Sequence, residues 1–379
     1  MHVVLDFNPV LRTRFSGFWT YGASLLEGLT VRGDVEAISL LAGRQSLAGS
    51  SDMPTWGHPK HRLRATRLRM RWWERWWGLC PRPGLENWFG PFDVYHSVHH
   101  LMPPTGGRPR VLTVHDLRRY RLGELYGHSR TDAFERAVAA ADRIVAVSAS
   151  TRDDLVELLD VPSDKIDVVH LATPPGFAPA DDARRERIAG ELRKMFGGQA
   201  RPYAATISSR DRRKNLPLTV AAFAEARRRL GQDWRLVIIG QRPRGEELDR
   251  TLVDCGGDAF VHFTGLASPA HYADLLAGAE MFLFFSLYEG FGLPILEAMA
   301  SGAPVLAGDN SSLPEVVGDD GVLVDASDPA AATEAIAAMA SDAAMRADLR
   351  QRGQARAATF TPARLAEGTV ACYRRATNA

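Results

Sequence analysis

The chain has 379 residues, 45% of them apolar and 24% charged, the balance of an ordinary water-facing globular protein. Its 46 Lys and Arg against 45 Asp and Glu leave a net charge of +1, so no overall field draws it to nucleic acid. The length exceeds one comfortable core and predicts two domains. Cys80, Cys255 and Cys372 are odd in number and widely spaced. That argues against a disulfide framework or a metal-ligand pattern and fits a reducing compartment. No run approaches about 18 uncharged apolar residues, and the opening residues read as a strand, so the expected location is the cytoplasm.

Taken in chain order, short apolar runs alternate with helical patterns. Residues 3–6, 35–40, 94–96, 111–115, 144–147 and 168–170 read as strands; 21–29, 130–141 and 152–159 read as helices. Such alternation predicts a parallel sheet covered on both faces. Residues 58–79 have a different composition. Lys60, Arg62, Arg64, Arg67, Arg69, Arg71 and Arg75 stand there with Glu74 as the one acid, and the stretch closes on Trp72, Trp73, Trp76 and Trp77. On one helix, at about 100° per residue, Arg64, Arg67, Arg71 and Arg75 would share a side beside Leu68 and the four tryptophans. That is the layout of an interfacial helix on an anionic membrane surface. The competing reading packs the tryptophans on the sheet and leaves the arginines in solvent.

Around 172–183 the pattern breaks at Pro174-Pro175-Gly176 and Pro179, before a charged stretch at 181–187, and predicts an interdomain linker. The alternation then restarts, with strands at 203–207, 235–239, 260–263, 281–285, 304–307 and 322–324. Helices are expected at 217–230, 269–276, 294–300 and 330–339, and Thr361-Pro362 opens a last one over 361–375. Two doubly wound units predict a ligand cleft between them.

The most informative segment is Tyr288-Glu289-Gly290-Phe291-Gly292-Leu293-Pro294-Ile295-Leu296-Glu297-Ala298-Met299-Ala300. It follows an apolar strand, and its glycines let a ligand approach the backbone. The free amides of the helix start then face an anion such as a diphosphate. Glu297 lies about one turn beyond Pro294, so its carboxylate can reach the same ligand as Glu289. Carboxylates repel a diphosphate, which makes sugar and ribose hydroxyls their natural partners. A second element, Ser208-Ser209-Arg210-Asp211-Arg212-Arg213-Lys214-Asn215, follows the first strand of the second half. A cationic loop there can neutralise a diphosphate and stabilise it as it departs.

Together these residues resemble the Glu-x7-Glu motif and the basic loop of retaining glycosyltransferases of the GT-B fold, specifically glycosyltransferase family 4. The likeness to bacterial polysaccharide mannosyltransferases is strongest. The resemblance spans most of the chain and is weakest over 43–92. It implies an α/β fold of two Rossmann-like domains facing a cleft: 1–176 binds the acceptor, 177–361 binds the nucleotide sugar, and a final helix at about 362–379 returns to the first. It assigns Glu289 to the transferred sugar and Glu297 to the ribose, with Phe291, Gly292 and Leu293 touching sugar and phosphate. Lys214 and Arg213 take the diphosphate. Many relatives carry an arginine five residues before the lysine; here Ser209 stands there, which leaves Arg210 or Arg212 as substitutes.

On the acceptor side, His115-Asp116 ends a strand where relatives place a histidine that contacts the transferred sugar; the alternative is a capping pair that satisfies a turn. Relatives usually carry a Gly-rich turn after the first strand. Only Gly17 remains of it here, beside Phe18 and Trp19, which either stack on a sugar or pack internally. The expected reaction moves a hexose, with GDP-mannose favoured and UDP-sugars open, to a lipid-diphosphate-linked or oligosaccharide acceptor. Retention of configuration, and independence of metal and of any cofactor, are what the resemblance implies. A sugar-nucleotide epimerase and a non-catalytic membrane-associated binding protein are the rival classes. The first lacks a recognisable acid/base set, and intact Glu289, Glu297 and Lys214 argue against the second.

Overall fold

A computed structural model describes residues 1–12, 16–43, 57–66, 70–77, 79–80, 82–126, 131–199, 201–209 and 211–378. The chain divides into two compact units: Met1–Ala172 with Phe360–Ala379, and Thr173–Thr359.

The first unit is built on a parallel sheet of β1 (His2–Asp6), β2 (Ala37–Gly43), β3 (His61–Thr66), β4 (Val94–Ser97), β5 (Arg110–Val114), β6 (Arg143–Ala146) and β7 (Ile166–Val168). Its order is β3-β2-β1-β4-β5-β6-β7. Parallel strands need crossovers, and the helices Gly17–Thr30 and Ala149–Leu159 supply two of them. Ser148 caps the second through the Thr151 amide at 3.0 Å. The last helix, Pro362–Thr377, is capped by Thr361 at 3.2 Å and packs on the helix Gly17–Thr30. Gly28 makes that packing possible, because a Cβ there would run into the Pro362 carbonyl. Tyr373 of the final helix lies 2.7 Å from His96 Nδ1; His96 Nε2 and the Tyr21 hydroxyl each lie 2.7 Å from the Thr113 hydroxyl. All four residues are buried.

The second unit repeats the plan with β8 (Tyr203–Ile207), β9 (Arg235–Ile239), β10 (Val261–Phe263), β11 (Met281–Phe284), β12 (Val305–Gly308) and β13 (Val322–Val324). The order is β10-β9-β8-β11-β12-β13, all parallel. Its core joins Leu236, Ile238, Met281, Leu283 and Leu306 of the strands to Val220, Phe223 and Ile336 of the helices. In both sheets the chain winds outward, returns to the middle and winds the other way. The reversal falls between β1 and β4, and between β8 and β11. Connections from such neighbouring strands continue to opposite faces of the sheet, and ligands commonly bind outside the carboxyl ends of the strands at that point.

Three regions depart from the sequence reading. Arg64 lies on β3 and not on a helix. His61-Arg62-Leu63-Arg64-Ala65-Thr66 alternates with period two, and pairing with β2 from Ile38↔His61 to Gly43↔Thr66 serves one side of its backbone. The helix is confined to Met70–Trp77. Its tryptophans do not share a surface. Trp73 and Trp77 pack with Trp88 at ring distances of 4.7 and 5.5 Å, against the cluster of Leu85, Phe89 and Phe92, whereas Trp72 and Trp76 are 53% and 52% exposed. Arg75 is exposed, and its guanidinium lies 5.8 Å from the Trp72 ring centre. The helix position of Arg71 falls in this segment, and Arg67 lies outside the described residues. Finally, the charged stretch after the prolines is the start of a helix, Asp182–Met195, because Asp181 accepts the Arg184 amide at 2.8 Å and caps it. Helices at Glu246–Asp254 and Ala343–Ala357 complete the second unit.

Candidate active site

The loops after β8 and β11 leave the middle of the second sheet side by side, and they are tied together. The Leu287 amide donates to the Arg213 carbonyl at 2.8 Å. After β8, Asp211 accepts the Arg213 amide at 3.2 Å and its Nε at 2.9 Å, which curls the short turn Arg212–Lys214. Asn215 then takes a left-handed conformation, φ 52°, and its side chain donates to the Ala326 carbonyl at 3.1 Å. That reversal launches the helix Leu216–Leu230 and leaves Arg213 and Lys214 aimed toward the second loop.

The target is Glu289. The Lys214 ammonium donates to its Oε1 at 2.7 Å, the Ser286 hydroxyl donates to the same oxygen at 2.7 Å, and the Arg213 guanidinium pairs with it. Arg213 also donates to the Tyr288 carbonyl at 2.8 Å. Lys214 stands 4.4 Å from the centre of the Phe284 ring, whose negative face favours the cation. Both the Glu289 and the Lys214 side chains are only 8% exposed. Burial on its own raises the Glu289 carboxyl, but Lys214 and Arg213 beside it bring it down to about 2. Burial lowers the Lys214 ammonium, assisted by Arg213 and opposed by Glu289. Two cations and a carboxylate are thus held ready at the end of the sheet.

A second set of bonds fixes the backbone. The Glu289 amide donates to Ser311 Oγ at 2.9 Å, and buried Ser312 donates to the carbonyls of Glu289 and Phe291 at 3.0 and 2.8 Å. Gly292 sits at φ 107°, with Leu313 3.0 Å from where a Cβ would stand. A side chain there is strained by the conformation and crowded by the tip of Leu313. The turn opens the helix Leu293–Ser301, with Pro294 in its first turn. Phe291 is buried and Leu293 half-buried beside it. Glu297 follows on this helix, and Tyr272 donates to its Oε2 at 2.6 Å. Burial pushes the Glu297 carboxyl up to about 7, against the Tyr272 hydrogen bond and the Lys214 charge, which lower it.

Not every basic residue of the loop joins in. Arg212 is exposed and pairs with Glu247 at 3.5 Å, away from Glu289, and Arg210 lies outside the described residues. In the first unit, His115 follows β5. Its Nε2 lies 3.1 Å from the Val98 carbonyl, and its ring meets Phe18 and Tyr21 edge-on at 4.8 and 4.9 Å. Burial lowers the His115 imidazole to about 4. Asp116 accepts the Arg118 amide at 3.3 Å. Gly17 is the exposed first residue of the helix capped by Ser16. Trp19 packs internally at 8% exposure, while Phe18 also meets His99 at 5.3 Å.

Ser286, Ser312, Tyr272 and His99 were not foreseen. The serines had a signal in their positions on strand-end loops next to the acidic motif, and His99 belongs to the run His96, His99, His100 after β4. Tyr272 had none, since 25 residues separate it from Glu297. Among the described residues no group of three or more His, Cys, Asp or Glu side chains could hold a metal ion.

Known proteins resemble this chain in sequence and in fold. Residues 193–356 match the family described as Glycosyl transferases group 1, and residues 16–175 match Glycosyltransferase Family 4. The chain is 28% identical over 286 residues to O-antigen chain mannosyltransferase B of Escherichia coli, covering 74% of each. It is 33% identical over 275 residues, 67% of each, to a GDP-mannose-dependent alpha-(1-6)-phosphatidylinositol monomannoside mannosyltransferase of Mycolicibacterium smegmatis. The structure of WaaG, a glycosyltransferase involved in lipopolysaccharide biosynthesis, superposes with a TM-score of 0.71 at 16% identity, over 97% of this chain and 98% of that one. The fold is therefore GT-B. The chain belongs to glycosyltransferase family 4 and is a glycosyltransferase.

Proposed function

We propose that this enzyme is a retaining hexosyltransferase that moves mannose from GDP-mannose to a lipid-diphosphate-linked or oligosaccharide acceptor in the synthesis of a bacterial surface polysaccharide. The observation that carries the donor half is the convergence of Lys214 and Arg213 on Glu289 at the reversal point of the second sheet. The mannosyl specificity and the acceptor class draw on the names of the relatives.

In this reading the diphosphate lies on Lys214 and Arg213, near the positive N-terminal end of the helix after Gly292. Glu289 accepts a sugar hydroxyl and Glu297 the ribose hydroxyls, while Phe291 and Leu293 line the path between them. As the bond from the anomeric carbon to the diphosphate breaks, the two cations stabilise the charge that develops, the task a metal performs in other transferases. The acceptor oxygen bonds to the anomeric carbon from the same face, and its proton passes to a phosphate oxygen. His115 is neutral near pH 7 and would serve the sugar as a hydrogen-bond partner and not as a charge; Gly17 and Asp116 would serve the acceptor side.

Attachment to an anionic membrane surface is proposed in reduced form. Arg64, Arg75, Trp72 and Trp76 are exposed and available to it, whereas Trp73 and Trp77 are committed to packing. Among the described residues no helix is long and apolar enough to cross a membrane. Flotation with phosphatidylglycerol vesicles tests this: replacing Trp72 and Trp76 by Ala should reduce the bound fraction, and unchanged flotation removes the idea.

The reaction is tested by offering GDP-mannose, UDP-sugars and dTDP-sugars with a lipid-diphosphate sugar and following the product. Mannosyl transfer with the anomeric configuration kept supports the proposal. Transfer from a UDP-sugar alone, inversion at C2 of the donor, or binding without turnover would each contradict it.

A further inference from the structure

Tyr272 lies in the first turn of the helix Pro269–Ala277, which packs on the helix that carries Glu297. Its amide donates to the Ser268 carbonyl at 2.8 Å, so the ring is launched from a capped and fixed position. The hydroxyl donates to Glu297 Oε2 at 2.6 Å, within the range of a charge-assisted O–H···O bond. The ring is held from another side by Phe177, edge-on at 5.5 Å. Ring and carboxylate are both half-buried.

We propose that Tyr272 is a positioning residue for the ribose. It locks the Glu297 carboxylate into the rotamer that accepts the vicinal hydroxyls, while Phe177 fixes the ring. The inference rests on the proposed donor site and adds a residue to it. A glutamate has three side-chain torsions, and a free one would have to be ordered each time the donor binds. Tyr272 removes that cost by occupying one lone pair of Oε2. When the carboxyl is ionised, the second lone pair of Oε2 and both of Oε1 remain for ribose. Preorganisation of this kind strengthens binding without adding a contact to the ligand.

The test uses Tyr272→Phe, which keeps the ring against Phe177, and compares inhibition by GDP with inhibition by 2′,3′-dideoxy-GDP. Wild-type enzyme should bind GDP at least about tenfold more tightly than the dideoxy form, in line with the loss of paired hydroxyls. In Tyr272→Phe that ratio should fall toward the ratio of Glu297→Gln, with the KM for the donor raised about fivefold and kcat within twofold. An unchanged ratio in Tyr272→Phe overturns the positioning role, and so does a loss of kcat with the ratio kept, which would mark general damage. If GDP inhibits the wild-type enzyme no better than the dideoxy form does, the ribose role of Glu297 fails and the inference fails with it; absence of inhibition by either overturns the GDP-mannose reading instead.

Discussion

Two arginine-rich stretches of this chain have opposite fates. In the loop after β8, Arg213 and Lys214 turn inward and converge on one buried carboxylate oxygen. Within residues 57–80, Arg62, Arg64 and Arg75 stay in solvent, Lys60 donates to the Thr30 and Arg32 carbonyls, and the apolar neighbours split between packing and exposure. Composition is similar in both; what differs is where the secondary-structure boundaries fall. A charge run at the carboxyl end of a central strand, next to a loop with a buried acid, has a partner fixed by topology. Among the described residues, Arg62 and Arg64 on the edge strand face no such acid.

The contrast can be broken by mutation. In the donor site, Glu289→Gln should lower kcat about 100-fold, the scale of losing one preorganised interaction in a transition state, while affinity for GDP stays within threefold. Equal losses in kcat and GDP affinity would show that Glu289 serves the nucleotide and not the sugar. In the tryptophan segment, Trp73→Ala should cost about 2 kcal/mol in urea unfolding, discounted for partial exposure, whereas Trp72→Ala should stay within about 0.5 kcal/mol. Equal costs would mean that the tryptophans act as one surface after all.

A smaller effect sharpens the electrostatic half. The Glu297 carboxyl is raised to about 7, so the folded enzyme holds a proton that the unfolded chain releases near its ordinary value of 4.5. Stability from this group is therefore greatest below that value and declines as pH rises to 7. Glu297→Gln cannot ionise and should gain about 2 °C in Tm over wild type between pH 5 and pH 8. Parallel melting curves would show that the carboxyl ionises without cost.

Much of this was legible beforehand. The strands of the central sheets are short, apolar and bounded by turn residues, so β8, β9 and β13 begin and end where the pattern says. The helical spacing of the arginines that follow hides β3, an alternating hexapeptide, and its edge position leaves it only half the burial signal of a central strand. β7 lies at Ile166–Val168, two residues earlier than expected, since its one-sided burial leaves the pattern weak. The acidic motif was readable because glycines, proline and acids must occur together to turn a strand into a helix around a ligand. Tyr272 was not, because it reaches Glu297 across two helices and only the packed fold brings the two together.

The central claim is that Lys214 and Arg213 form the diphosphate site. Calorimetric titration of GDP into wild type and Lys214→Ala tests it directly, with Arg213 and Ser286 left to hold Glu289 in the variant. The account predicts GDP binding about 30-fold weaker in Lys214→Ala, the value of one charge-assisted hydrogen bond to phosphate, with the fold retained. Equal affinity in the two proteins would contradict it.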